Sequence, residues 1–468
     1  MGETRYSPKL RTGVIFGGVG TAGAYQAGVW RAVSEAGIKV DVVAGHGAGV
    51  ATALLAAVDG GARLWDEQGR TPWTDRRMRA AYRWRPALRV AGAGLAVALG
   101  LLISPLLVLA FAAVVYAASA LAALISLPST SARLVGFYGQ TVAWLFDPPV
   151  LPTIVPRAVV LALLGVAVVV VVAAVRAVRS ERSGRRMRGA FWWRLFGAPL
   201  DVVEPASRLT DALWQHVRGA SSEGRPAPAE IGARYVDLLA DNLGQPGFHE
   251  LVVAVHDLDA RRDLVGAVLG PTSREAFFAL EAPLGPRGAE AVDLTGTGRG
   301  LLVDFLTGAL RLPAATAPHA VSFPMDSYWR GDRHVVCDRP ELLVRLVEEL
   351  ATLGVEQLIL VSAAPRPDVP HGLRRQAASL RGRLGQLARS IETAALDDAR
   401  RVAGRRMSGV FVVRPDHNPV GPFDFGPVYD EASDRERAAG EIVRRGYEDA
   451  YRQLVEPLAA ALDAEHAE

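Results

Sequence analysis

The stretch that decides the fold is residues 17–57, GGVGTAGAYQAGVWRAVSEAGIKVDVVAGHGAGVATALLAA. A short apolar run, Thr12–Phe16, leads into it, and apolar residues at helical spacing follow over Ala24–Ala36. Val40–Ala44 is a second short run rich in β-branched residues, and Val50–Val58 is typical of an apolar helix. Strand, helix, strand and helix at this spacing form a βαβ unit, which predicts a parallel sheet.

The composition shows that apolar residues are concentrated in part of the chain. Half of the 468 residues are hydrophobic, although the charged share of 22% is ordinary for a soluble protein. A single cysteine, Cys337, excludes an intramolecular disulfide and indicates a reducing compartment. The small net charge of +3 gives no reason to expect a nucleic-acid partner.

Two uncharged stretches predict a membrane hairpin. Val90–Leu127 and Ala158–Val175 contain no charged residue. A spanning helix needs about 20 apolar residues, so the first stretch is long enough and the second lies at the lower limit. We therefore expect two transmembrane helices, at about 90–124 and 157–175.

The arginines predict the orientation of this hairpin. The connecting loop has only Arg133 and Arg157, whereas six arginines precede the first span and six follow the second. By the positive-inside rule both flanks are cytoplasmic, which indicates a multi-pass protein of the cell (inner) membrane with a cytoplasmic α/β domain. These two arginine clusters would also attract anionic headgroups, although setting the topology is the simpler explanation for them. They are Arg76, Arg77, Arg79, Arg83, Arg85, Arg89 and Arg176, Arg179, Arg182, Arg185, Arg186, Arg188.

The rest of the chain returns to α/β character. We predict a strand hairpin, two further strands, a long arginine-rich helix with an apolar stripe, and a terminal helix. The hairpin strands are His249–Val255 and Asp263–Leu269, and the two further strands are Gln357–Val361 and Gly409–Val413. The apolar stripe of the long helix runs from Leu373 to Ile391, and the terminal helix begins at about Asp434. One domain interrupted by the hairpin explains the order, because 60 residues alone are too few to bury a core. Its first part is 11–62, the membrane insertion is 63–189, and the remainder is 190–465.

A glycine-rich turn, Gly17–Gly23, lies between the first strand and the first helix. Backbone N–H groups at such a helix N-terminus bind anionic oxygen, whether of a phosphate or of a tetrahedral oxyanion. Gly18, Gly20 and Gly23 satisfy G-x-G-x-x-G, so a dinucleotide-binding membrane protein is one hypothesis. Asp41 is at about the right distance for the ribose, but it precedes the apolar part of the second strand instead of ending it.

The second turn, Gly45-His46-Gly47-Ala48-Gly49, has the pattern of a nucleophile elbow. The sequence G-x-S-x-G between a strand and a helix places a serine on a sharp bend, and here glycine stands at the serine position. Glycine tolerates the strained backbone of that bend but has no hydroxyl that could attack an ester.

Together these turns resemble the opening of patatin-like phospholipases. Gly23–Gly28 matches the G-A-Y-x-x-G helix start of that family, and the elbow follows at the family's spacing. The resemblance implies a three-layer sandwich with a central, mostly parallel sheet, which the transmembrane hairpin interrupts. It also implies a Ser–Asp dyad. Gly47 is at the serine position, and in Gly331–Pro340, GDRHVVCDRP, Asp332 falls on the aspartate if Pro340 is the family's proline.

Several positions depart from the family's pattern. Gly47 replaces the nucleophile, Ala22 the basic residue common in the oxyanion loop, and Arg333-His334 the glycine pair after the aspartate, while Asp338 takes the Asn position. Loss of a hydrolase nucleophile typically costs ~10⁶ in turnover. A substitution introduced at Gly47 would explain one departure but not the others, so the resemblance favours a natural, catalytically impaired homologue that binds membrane lipid or a protein partner.

An active lipid hydrolase, either with unusual chemistry or with Gly47 as an introduced change, is the alternative. His46 and His334 could converge with Asp332 to activate a water, whereas Cys337 is more typical of inert packing. No H-x-x-x-H or C-x-x-C spacing supports a metal, and no cofactor is expected.

Overall fold

The computed structural model describes residues 6–65, 71–125, 128–145, 147, 154–180, 197–219, 222–279, 287–366, 379–425, 428–430 and 435–460. The chain divides into two compact units, one formed by Met1–Arg83 with Leu200–Glu468 and the other by Trp84–Pro199.

The first unit is built on a mixed sheet that is nine-stranded within the described residues. Its path runs β11-β10-β1-β2-β5-β6-β7, with β9 pairing β5 and β8 pairing β9. Five of these pairings are parallel, from β11 to β5 and between β6 and β7. The strands are β1 (Thr12–Gly17), β2 (Val42–Gly45), β3 (Arg83–Trp84), β4 (Leu200–Asp201), β5 (Glu250–Asp257), β6 (Arg262–Val268), β7 (Ala289–Asp293), β8 (His319–Ser322), β9 (Arg333–Cys337), β10 (Gln357–Ser362), β11 (Gly409–Val413) and the hairpin β12 (Val428–Asp430) with β13 (Arg435–Arg437).

Helices cover both faces of the sheet. In the first unit they are α1 (Ala22–Glu35), α2 (Gly49–Ala56), α6 (Val203–Arg218), α7 (Pro228–Asn242), α8 (Pro271–Phe278), α9 (Leu302–Ala309), α10 (Leu342–Thr352), α11 (Leu380–Arg406) and α12 (Ala439–Ala450). The helices α3 (Pro86–Leu124), α4 (Pro128–Leu145) and α5 (Ile154–Ser180) belong to the second unit. Short 3₁₀ turns occur at Asp59–Gly61, Pro72–Thr74, Arg76–Ala80 and Arg299–Leu301, and a π-helical turn at Tyr451–Val455 follows α12.

Side chains of the central strands point alternately into two separate apolar cores. Val14 and Phe16 of β1 pack into one core, and Ile15 between them packs into the other. The first core contains side chains of α1, α2, α6, α7, α9 and α12, and the second those of α8, α10 and α11. Side chains of a strand alternate between its faces, so these are the two sides of one sheet. The architecture is therefore consistent with a three-layer α/β fold.

The predicted elements of this unit are confirmed where the structure describes them. Strands and helices form over residues 12–56, the predicted hairpin is the antiparallel pair β5–β6, and strands form at β10 and β11. The arginine-rich helix is α11, and Leu373 lies outside the described residues. Its predicted apolar stripe is wrong in part, because Leu380 and Leu387 are exposed and the buried face is formed mainly by small residues. The terminal helix is α12, which begins at Ala439, whereas Asp434 also lies outside them.

Close contact between α1 and α12 holds the first helix of this unit against its last α-helix. A Cβ atom at Gly28 would lie well inside 3.0 Å of the Val443 carbonyl oxygen, and one at Gly446 equally close to the Tyr25 carbonyl. Real Cβ contacts are essentially never below 3.0 Å, so each position requires glycine for the helices to pack at this distance. Glycine in a helix interior otherwise costs about 1 kcal/mol relative to alanine.

The second unit consists of α3, α4 and α5. It has three stretches long and apolar enough to cross a membrane: Pro86–Ile103 and Leu106–Leu124, both in α3, and Pro156–Val175 in α5. At 39 residues, α3 is about 58 Å long, which exceeds the ~30 Å hydrocarbon layer.

Between the two predicted spans, Pro128–Leu145 forms a helix, α4, that was not predicted from the sequence. It packs on α3 through a 2.8 Å hydrogen bond between the Ser119 and Ser131 hydroxyls. The Tyr138 hydroxyl also donates to the Val108 carbonyl at 2.6 Å.

Candidate functional site

The predicted elbow forms between β2 and α2, at the end of the sheet where the glycine-rich turn also lies. Gly47 has φ +59°, in the left-handed region that favours glycine. Neighbouring positions also need glycine, because a Cβ at Gly45 would meet the Gly49 carbonyl, and one at Gly49 would meet the Phe16 carbonyl. The His46 N–H donates to that same Phe16 oxygen at 3.2 Å, which ties the bend to β1.

A backbone carbonyl fills the space where a nucleophile would begin. A Cβ at Gly47 would lie well inside 3.0 Å of the Gly18 carbonyl oxygen. That oxygen accepts a 2.7 Å hydrogen bond from the Ala48 N–H, so the glycine-rich turn and the elbow hold each other. Any side chain at position 47 would therefore have to displace backbone, not a flexible side-chain end.

The carboxylate beside the elbow belongs to Asp338. Its Oδ2 lies 2.9 Å from the Cβ position of Gly47, and its Oδ1 lies 3.1 Å from His46 Nδ1. Asp338 is fully buried, and its backbone N–H donates to the Arg311 carbonyl at 2.7 Å. Within the described part of the chain, Oδ2 is buried without a hydrogen-bond partner.

Asp332, which the family pattern selected, is at the other end of the same strand. It precedes β9 and is exposed, whereas Asp338 follows β9 directly. Six extended residues separate the two by about 20 Å. The structure therefore brings Asp338 to the elbow and does not bring Asp332 there, because the carboxyl-terminal end of β9, not its start, lies beside Gly47.

The glycine-rich turn is packed against other segments of the chain. The Thr21 N–H donates to the Pro422 carbonyl at 2.9 Å, and a Cβ at Gly20 would collide with that oxygen. A Cβ at Gly23 would likewise collide with the indole of Trp73. Close packing therefore accounts for both glycines.

Glu392 of α11 contacts the glycine-rich turn, and it was not predicted as a site residue from the sequence. Its Oε1 accepts a hydrogen bond from the Val19 N–H at 2.5 Å, within the glycine-rich turn. The pKa of Glu392 is raised to about 7. Burial is the largest cause and the nearby Asp338 acts in the same direction, whereas the Val19 hydrogen bond, His46 and Arg389 oppose the rise. The side chain is buried, so one carboxylate occupies a backbone donor that an external anion would need.

His334 lies in a separate cluster. Its Nδ1 is 2.5 Å from Asp257 Oδ2, and its ring packs on Trp329 at 4.4 Å between centroids. His334 sits within β9, and its partners come from β5 and the 323–332 connection, so the structure does not bring it to His46. Cys337 is buried beside Asp338, and burial raises the pKa of its thiol to about 12, which leaves it a poor nucleophile.

Asp41 precedes β2 and lies at the end of the sheet opposite to the glycine-rich turn. Its carboxylate accepts the Thr12 N–H at 2.8 Å and pairs with Lys39 at 3.1 Å. Thr12 begins β1, whereas the turn follows the end of that strand. A ribose bound with its phosphates on the turn would therefore not reach Asp41. The described residues also contain no group of three or more ligands that could hold a metal ion.

No family model matches the chain. No curated protein matches it either. Among solved structures, the crystal structure of VipD from Legionella pneumophila is similar, with a TM-score of 0.32 and 13% sequence identity over 96% of this chain and 67% of that one. Similarity at this level carries no argument about function.

Proposed function

We propose that the chain is a membrane-anchored, patatin-like protein that has lost acyl-hydrolase chemistry and binds membrane lipid or a protein partner on the cytoplasmic side of the cell membrane. The apolar stretches of α3 and α5 support the anchoring, and the arginines that flank them support the orientation. The patatin-like assignment rests on the two glycine turns and on the carboxylate that faces the elbow.

One observation carries the loss of catalysis: the Gly18 carbonyl oxygen occupies the space where a serine side chain at position 47 would start. A glycine offers no nucleophile, and this carbonyl leaves no room to restore one without a backbone shift. The acyl-enzyme route is closed by the shape of the site as well as by its chemistry.

The oxyanion donors support the same conclusion. Acyl transfer needs backbone N–H groups directed at the developing oxyanion. The N–H that follows the elbow residue, on Ala48, is bonded to Gly18, and the Val19 N–H is bonded to Glu392. Both donors are satisfied within the protein, so a substrate would have to displace a buried carboxylate and a carbonyl.

An active hydrolase is the second candidate, and the free Asp338 Oδ2 is the observation that favours it. A buried carboxylate oxygen without a partner among the described residues could accept a proton from a water, with His46 holding the other oxygen. This route needs a water beside Gly47 and an ester that reaches it.

Hydrolysis of a fluorogenic short-chain ester by the detergent-purified full chain separates the two candidates. We expect the parent chain to match the buffer blank and Gly47→Ser to remain inactive. A parent rate that disappears in Asp338→Asn, while a control Asp332→Asn keeps it, would establish the second candidate. Activity gained by Gly47→Ser would contradict the steric argument, because it would show that the elbow accepts a side chain.

The dinucleotide hypothesis has its own test. Saturable binding of a nicotinamide cofactor that Gly20→Val abolishes would support it. We expect no saturation, because the donors of the turn are bonded internally and Asp41 is at the far edge of the sheet.

A further inference from the structure

A short segment before the first apolar helix presents one charged side and one buried side. We define the basic segment as residues 76–83, which begins with the 3₁₀ turn Arg76–Ala80. Met78 and Tyr82 are buried, and the Tyr82 hydroxyl donates to the Leu310 carbonyl at 2.8 Å. The Asp75 carboxylate caps the turn by accepting the Arg77 N–H at 2.8 Å. The backbone of the segment is thereby held in place.

The other side of the basic segment carries four exposed guanidinium groups. They belong to Arg76, Arg77, Arg79 and Arg83. None of the ion pairs between described residues uses any of the four. Some exposed arginines elsewhere are paired, as Arg444 is with Glu448. Four cations within eight residues, none of them in an ion pair with a described residue, repel one another, and an anionic surface would relieve that repulsion.

Chain connectivity places this charge next to the apolar helix. Arg83 is three residues before Pro86, where α3 begins, so at most about 11 Å of extended chain separates them. That distance is comparable to the screening length of about 8 Å at physiological salt. If α3 enters a bilayer, the basic segment lies at the level of the headgroups.

We propose that the basic segment is a binding surface for anionic phospholipid headgroups such as phosphatidylglycerol. Arginine donates hydrogen bonds to a phosphate, which both phosphatidylglycerol and phosphatidylcholine carry. Selectivity comes from net charge, because the choline cation cancels the phosphate charge and the glycerol headgroup leaves it. The proposal rests on the membrane anchoring proposed above and adds the lipid class that the anchored protein selects.

Binding of short-chain lipids to the detergent-purified full chain tests the proposal. Thermophoresis would compare dioctanoyl phosphatidylglycerol with dioctanoyl phosphatidylcholine. We expect saturable binding of the anionic lipid only. Each cation near an anionic surface contributes about a fivefold change in affinity, so R76A/R77A/R79A/R83A should weaken binding by more than about 100-fold. The matched control R400A/R401A/R405A/R406A removes the same charge from exposed positions of α11 and should change affinity by less than about threefold.

Further arms keep the result interpretable. R76K/R77K/R79K/R83K keeps the charge and should retain most of the binding, and an unchanged melting temperature in the alanine variant shows that it folds. Equal binding of both lipids, equal loss in the α11 control, or full competition by inorganic phosphate would overturn the lipid surface. Alkaline carbonate extraction of cell membranes tests the anchoring separately. Release of the parent chain would refute the anchoring, and the lipid-binding measurement in detergent would still test the basic segment by itself.

Discussion

A Glu392→Gln variant should be more stable than the parent chain above pH 7 and equally stable near pH 4.5. Glutamine keeps the oxygen that accepts the Val19 N–H but cannot ionise. The parent must hold a carboxylate in a buried position beside Asp338, and glutamine removes that requirement.

The size of the effect follows from the pKa shift of Glu392. Its pKa is about 7 in the folded chain, against 4.5 for an ordinary glutamate. Below about pH 4.5 the carboxyl group is protonated in both the folded and the unfolded chain, so it does not change the free energy of unfolding. Between 4.5 and 7 the folded state keeps a proton that the unfolded state has lost, so the stability of the parent falls as pH rises. Above pH 7 the free energy of unfolding of the parent is about 3 kcal/mol below its value at low pH, because each pKa unit corresponds to 1.36 kcal/mol.

Thermal unfolding in detergent from pH 5 to pH 8 measures this difference. We expect the variant to melt roughly 3 to 6 °C above the parent at pH 8, with the gap closing toward pH 5. Glu275→Gln, an exposed glutamate on α8, is the control and should track the parent at every pH. A Glu392→Gln variant that melts with the parent at pH 8 would show that the folded chain does not bury this charge.

Three further predictions concern glycines and the membrane. Gly47→Ser should lower the melting temperature of the α/β unit by several degrees, because its Cβ would force the Gly18 carbonyl to move; differential scanning fluorimetry checks this, and a variant as stable as the parent would refute the close contact. Gly28→Ala should destabilise by roughly 2 kcal/mol or more through its clash with α12, whereas Gly404→Ala, a helix glycine with open space around it, should stabilise by about 0.5–1 kcal/mol; equal melting of the two variants would contradict the packing. In cell fractions the parent chain should stay in the pellet after alkaline carbonate, as α3 and α5 require, and immunoblotting of pellet and supernatant shows whether it does.

The first sixty residues could be predicted well because their signals are local. Apolar runs, helical spacing and turn glycines act over a few residues, and they gave β1, α1, β2, α2 and the bend at Gly47. The left-handed backbone at that bend is a property of the glycine itself. The hairpin β5–β6 was predictable for the same reason, since a polar turn separates two apolar runs.

The parts that were not predicted depend on distant pairing. Asp338 and Asp332 flank the same five-residue strand, and which of them reaches the elbow is set by how β9 pairs with β5, 80 residues earlier in the chain. Glu392 contacts Val19 across 373 residues, and a glutamate in an arginine-rich helix carries no local signal of burial. The helix α4 was missed because its mixed polarity is typical of a loop as much as of a helix.

The position of β1 at the middle of the sheet has a consequence for synthesis. Thr12–Gly17 pairs on one side with β10, which leaves the ribosome some 340 residues later, and α1 packs on α12, which comes later still. One side of β1 pairs early with β2, but its other side must stay unpaired while the apolar helices and the strands after them are synthesised. Because exposed strand edges are prone to aggregation, the nascent chain should need a holding chaperone until its last hundred residues emerge.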